Sequence, residues 1–201
     1  MTTASTSSRE RILEAAFASF MESGYAAATT LEIATRARVS KRELYALFGN
    51  KQEILMSAIR ERAKRLRAPT DLPVPRDRAA LARVLGSFGA QLVREVSDPA
   101  VVAVFRLAIA EAVRAPEVAE ALDSIGRETS RRALRGIMAQ AKATGLLDGR
   151  PAELVAAFHA LLWGDLILNL LLGIAQRPTP AEIERRARAA ADAFLRLHPL
   201  T

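Results

Sequence analysis

The chain has 201 residues, half of them hydrophobic, and contains no cysteine. That composition suits a globular protein with one large core or two small ones, and it excludes disulfides, thiolate nucleophiles and cysteine-ligated metals. Net charge is +7, and residues 1–67 hold 12 Lys and Arg against 7 Asp and Glu, so the basic end of the chain suits a polyanion.

The opening residues, "MTTASTSSRER", lack the apolar stretch of a secretion signal and read as a short disordered tail. Ala, Leu, Arg and Glu then dominate, with no alternating β-branched run, so the predicted fold is all-α with about nine helices. The first helix begins at Ser7 or Ser8, where Glu10 completes a capping box, and stops at Gly24. Ile12, Ala16, Phe17, Phe20 and Met21 form its apolar stripe. Thr29 with Glu32 opens a second helix that turns Ile33, Ala34 and Ala37 inward.

In "VSKRELYALFGNK", Ser40 with Glu43 and Asn50 with Glu53 supply two further helix starts ten residues apart. The helix between them has about two turns, too short to be stable alone. Leu44, Leu47 and Phe48 are spaced to anchor it, leaving Lys41, Arg42 and Tyr45 largely on the other side. Two short helices joined by a tight turn form a helix-turn-helix, whose second helix enters the major groove of DNA. The fourth helix starts at Asn50, buries Ile54, Leu55, Ala58, Ile59 and Leu66, and ends in "RERAKRLR". Three prolines within residues 68–76 mark the domain boundary, giving domains 1–67 and 77–201.

Beyond the boundary, helices are predicted at 77–96, 99–113, 117–144, 151–175 and 180–197, the last four opened by Pro99, Pro116, Pro151 and Pro180. The segment Glu153 to Ala175 is apolar nearly all round, yet it carries His159, Asp165 and Asn169, which argue against lipid. Such a helix can be buried on one side by its own domain and on the other by a second subunit. The sequence shows no nucleotide-binding glycine loop, no metal-ligand spacing and no catalytic cluster, so neither an enzyme, a cofactor nor a metal is expected.

The stretch "RILEAAFASFMESGYAAATTLEIATRARVSKRELYALFGNKQEIL" resembles the N-terminal domain of the tetracycline-repressor (TetR) family of bacterial transcription regulators. The resemblance implies a cytoplasmic, nucleoid-associated homodimeric repressor that binds double-stranded DNA through its N-terminal domain. A C-terminal helical domain would dimerise and bind a small, largely apolar effector, whose arrival releases a pseudo-palindromic operator. It also implies that Thr30, Tyr45 and Lys51 meet phosphate, with Thr29 as cap and second contact. Lys41 and Arg42 fall where members reach base edges, Ser40 starts the recognition helix, and Glu43 is either a capping partner or a reader of cytosine.

The sequence departs from the family pattern at Arg38, where a glycine is usual, at Arg42 and Glu43, where small residues and Thr or Ser are usual, and at Leu47, where a polar residue often meets phosphate. The alternative reading is a helical interaction module that has lost specific DNA binding. Candidate effector contacts are Phe105, Arg106, Ile109, Met138, His159 and Trp163. Candidate dimer residues are Asp165, Leu168 and Leu172, with Ile183, Ala187, Ala190 and Phe194 of the last helix.

Overall fold

Several helix starts in this chain, those after Ser7, Thr29, Ser40, Asn50, Asp77 and Thr179, are set by side-chain oxygens that accept from otherwise unpaired backbone amides. The structure, a computed structural model, describes residues 7–63 and 74–200. Among these residues there are eleven α-helices: α1 (Ser8–Ser23), α2 (Thr30–Ala37), α3 (Lys41–Phe48), α4 (Lys51–Ala63), α5 (Arg78–Val96), α6 (Pro99–Glu111), α7 (Pro116–Ala121), α8 (Glu128–Ala143), α9 (Pro151–Trp163), α10 (Leu166–Leu172) and α11 (Pro180–Leu197). The described residues contain no strand. Ser7 with Glu10 and Thr179 with Glu182 form complete reciprocal capping boxes. The expected tail over residues 1–6, Leu66 and most of the proline-rich boundary lie outside the described residues.

Two helices expected to be continuous are divided, which raises the expected number of about nine. The predicted 117–144 helix becomes α7, a six-residue π-helical turn (Leu122–Arg127) and α8. The predicted 151–175 helix breaks at Gly164, whose φ of 44° and ψ of −128° suit glycine alone. The axes of α9 and α10 differ there by 55°, and no single helix among the described residues is long and apolar enough to cross a membrane.

The chain forms two compact units. The first combines Met1–Lys64 with Ala103–Gly126, and the second combines Arg65–Val102 with Arg127–Thr201. In the first unit, Ile12, Ala16 and Phe20 of α1 pack with Ile33 and Ala34 of α2, Leu44 and Phe48 of α3, and Ile54, Leu55 and Ile59 of α4. Val104, Leu107 and Ala108 of α6 and Val118 and Ala121 of α7 belong to the same core. Leu47, expected to be an anchor, is 44% exposed, because the core takes only Leu44 and Phe48 from this helix.

In the second unit, α11 packs most extensively on α5, and α9 packs on α8 and α11. Gly89 on α5 permits this approach: a Cβ there would lie 3.1 Å from Leu162 Cδ1, 3.3 Å from Phe158 Cζ and 3.4 Å from Ala187 Cβ. Phe158 and Phe194 meet edge to face with ring centroids 5.7 Å apart. The Arg78 guanidinium donates to the carbonyls of Leu195 and His198 at the far end of α11 and of Leu146 just beyond α8.

Candidate nucleic-acid interface

The second and third helices are each only eight residues long, so their geometry depends on what holds their ends. At the start of α2, Thr29 Oγ1 accepts from the Glu32 amide at 3.2 Å, which leaves its own hydroxyl proton free to donate. The C-terminus of α2 closes with Arg38 in the left-handed region, φ 55° and ψ 46°, while the Val39 amide donates back to the Ala34 carbonyl at 3.0 Å. Arg11 on α1 donates to the Ala37 carbonyl at 3.1 Å, and Arg36 forms a two-pronged pair with Glu22 at 2.6 and 2.7 Å. That pair lowers the Glu22 carboxyl below its ordinary value.

Ser40 Oγ caps α3 by accepting from the Glu43 amide at 3.0 Å. Here the Glu43 carboxylate does not return to the Ser40 amide, unlike Glu10 and Glu182 in their complete boxes. It is therefore free of the capping role that its spacing suggested. Lys41 and Arg42 are exposed in the first turn of α3, beside amides that the helix itself leaves unpaired. The Lys41 ammonium lies 5.8 Å from the Tyr45 ring centroid, and the Tyr45 hydroxyl is 3.1 Å from Thr30 Oγ1. The structure thus brings together Thr29, Thr30 and Tyr45 from two helices, with Ser40, Lys41, Arg42 and Glu43 on the first turn of the second.

Lys51 requires a correction. Its Nζ donates to the carbonyls of Tyr25, Ala26 and Ala28 at 2.9, 3.3 and 3.1 Å. An ammonium has three donors, so these bonds account for all of them. The same nitrogen lies 4.6 Å from the Tyr25 ring centroid, a favourable position for a cation over an aromatic face. Lys51 therefore clamps the segment between α1 and α2 rather than presenting a free cation to phosphate. Sequence alone gave no signal for this, because the acceptors are backbone carbonyls 23 to 26 residues away.

The other candidate residues divide differently from expectation. Phe105, Arg106 and Ile109 belong to the part of α6 in the first unit, and Ile109 is 62% exposed, whereas Met138, His159 and Trp163 belong to the second unit. Met138 is fully buried in the core. His159 Nε2 is buried without a hydrogen-bond partner. Burial holds the His159 imidazole below its ordinary value, and the charges of Arg131 and Arg127 act in the same direction.

Among the proposed dimer residues, Asp165, Leu168 and Leu172 are exposed. Ile183, Ala187 and Phe194 are buried within the chain's own second unit, because the apolar stripe of α11 is taken up by intrachain packing. These three are corrected from interface to core. Ala190, though itself buried, joins Arg185, Ala189 and Ala193 of α11 in lining an open groove of about 660 Å³, which Leu161 and Leu166 also line. The described residues include no group of three His, Cys, Asp or Glu placed to hold a metal.

Residues 12–58, which contain this helix-turn-helix, match the bacterial regulatory proteins of the tetR family, and residues 83–198 match the C-terminal domain of AefR-like transcriptional repressors. The chain belongs to the TetR family. As a TetR-family protein it is a ligand-responsive, DNA-binding transcription regulator and not an enzyme, and such regulators dimerise and bind operator DNA and small molecules.

Similar TetR-family structures include a transcriptional regulator from Agrobacterium tumefaciens, 28% identical, with a TM-score of 0.79 over 96% of this chain and 95% of that one. The flavonoid-responsive regulator FrrA is 31% identical, with a TM-score of 0.78 over 95% of this chain and 96% of its own. A regulator from Mesorhizobium loti shares the fold at 24% identity, with a TM-score of 0.76 over 98% of this chain and 99% of that one. No curated protein matches the chain.

Proposed function

We propose that this TetR-family regulator is a homodimeric repressor that leaves a pseudo-palindromic operator when a small, largely apolar effector binds. Residues 1–67 would supply the DNA contacts and residues 77–201 the effector and dimer functions, in the cytoplasm where the nucleoid lies. The observation that carries this reading is the hydroxyl pair of Thr30 and Tyr45, 3.1 Å apart, at the start of α2 and one turn beyond exposed Arg42 on α3. Two hydroxyls from different helices suit one phosphate, while the first turn of α3 faces bases. Thr29, Ser40 and Lys41 add backbone or base-edge contacts, and the free carboxylate of Glu43 suits the cytosine amino group.

Effector contact is assigned to His159, Met138 and Trp163, with the unpartnered His159 Nε2 as the polar anchor. An aromatic effector with a polar group fits a buried hydrogen-bonding nitrogen near the charges of Arg131 and Arg127, and similarity to a flavonoid-responsive regulator supports that class. The dimer face is assigned to exposed Asp165, Leu168 and Leu172 together with the outer side of α11. An effector that prefers the state in which the two recognition helices no longer match successive major grooves would lower operator affinity by that preference.

Selection of binding sites from genomic DNA fragments tests the reading. The expected result is a pseudo-palindrome occupied by two chains, with affinity that falls steeply with salt. A monomer on a single asymmetric half-site would overturn the homodimer reading, and the absence of any selected site would favour a helical interaction module without DNA binding.

A further inference from the structure

Glu111, the last residue of α6, is 9% exposed, and its Oε2 is buried without a hydrogen-bond partner. Its other oxygen, Oε1, accepts from the Ala26 amide at 3.3 Å. Burying a carboxylate with one oxygen unsatisfied is costly, so its position calls for an explanation. Ala26 lies in the segment that leads from α1 into α2, and its carbonyl accepts from Lys51. Both backbone groups of this residue are therefore held by side chains distant in sequence. Gly24 makes room for the contact: it sits at φ 81°, and a Cβ there would stand 2.9 Å from Glu111 Oε1. Three residues beyond Ala26, Thr29 caps α2, and Thr30 meets Tyr45.

We infer that Glu111 is a positioning residue for operator binding. Through the Ala26 amide it fixes the chain direction at the start of α2, and so the placement of the Thr29 and Thr30 hydroxyls against phosphate. The inference rests on the DNA-contact reading above. Because the contacts it governs are to phosphate, loss of Glu111 weakens binding to all sequences alike and leaves their ranking intact.

The test uses the full chain and three variants, Glu111→Gln, Glu111→Asp and Glu111→Ala, with operator affinity and Ala26 amide exchange measured on each. Gln keeps an acceptor at the same reach, and Asp keeps the charge but is one methylene too short. Gln is expected to stay within about twofold of the unmodified chain; Ala and Asp are expected to lose Ala26 protection and about fivefold in affinity, the size of one lost hydrogen bond. Should Glu111→Ala fail to fold, the Asp and Gln pair decides. A variant in which affinity and Ala26 protection part company overturns the inference, as does equal impairment by Gln and Asp. Failure of the unmodified chain to bind any selected site would instead overturn the DNA-contact reading, and the amide measurement distinguishes the two because it needs no DNA.

Discussion

The hydroxyls of Thr30 and Tyr45 lie 3.1 Å apart and tie the first residue of α2 to the middle of α3. Both are accessible, so the bond adds little to stability, on the order of 1 kcal/mol or less. Its effect is to preset the spacing of the two hydroxyls that the proposed function assigns to phosphate. Tyr45→Phe should therefore weaken operator binding about fivefold or more on every site in a panel, with a nearly unchanged urea midpoint. A change confined to particular sequences would refute a backbone role.

Lys51 behaves oppositely. Removing an ammonium that satisfies three carbonyls leaves those groups to find other partners, so Lys51→Met should destabilise the chain by about 2 kcal/mol in chemical denaturation. Unchanged stability combined with a large loss of DNA affinity would show that the clamp is not its role.

Arg38 is the one residue other than glycine with positive φ among the described residues. A side chain there costs on the order of 1 kcal/mol relative to glycine. Arg38→Gly is accordingly expected to stabilise the chain by about 1 kcal/mol, read from denaturant unfolding. Destabilisation would mean that the Arg38 side chain makes a compensating contribution.

The His159 imidazole is held below the ordinary value of 6.5, so near that pH the unfolded chain binds more protons than the folded one. Stability should therefore fall as pH drops below about 6.5 towards the lowered folded value. His159→Gln, which does not titrate, should show a shallower decline over that window in parallel unfolding curves. Identical slopes for the two chains would contradict burial of a neutral imidazole.

The sequence makes the helix starts legible because capping is local: Ser7, Thr29, Ser40, Asn50 and Thr179 each accept from the amide three residues on. The proximity of Thr29, Thr30, Ser40, Lys41, Arg42 and Tyr45 is legible for the same reason, since they share two short helices and a turn. Contacts across the fold are not. The stripe of Ile183, Ala187 and Phe194 has the same spacing whether α5 or a second subunit covers it, and periodicity cannot distinguish these. Gly164 resembles any glycine within an apolar run until its backbone angles are known. Glu111 acts on Ala26 from 85 residues away, beyond any spacing rule.

The first unit is assembled from two separate stretches of chain. Cutting after residue 67 would remove Val104, Leu107, Ala108, Val118 and Ala121 from its core and leave the face of α4 that packs on α7 open to water. A gene fusion that transplants only the N-terminal third should therefore yield a fragment prone to aggregate. A graft intended to carry this DNA specificity to another protein must bring α6 and α7 with it.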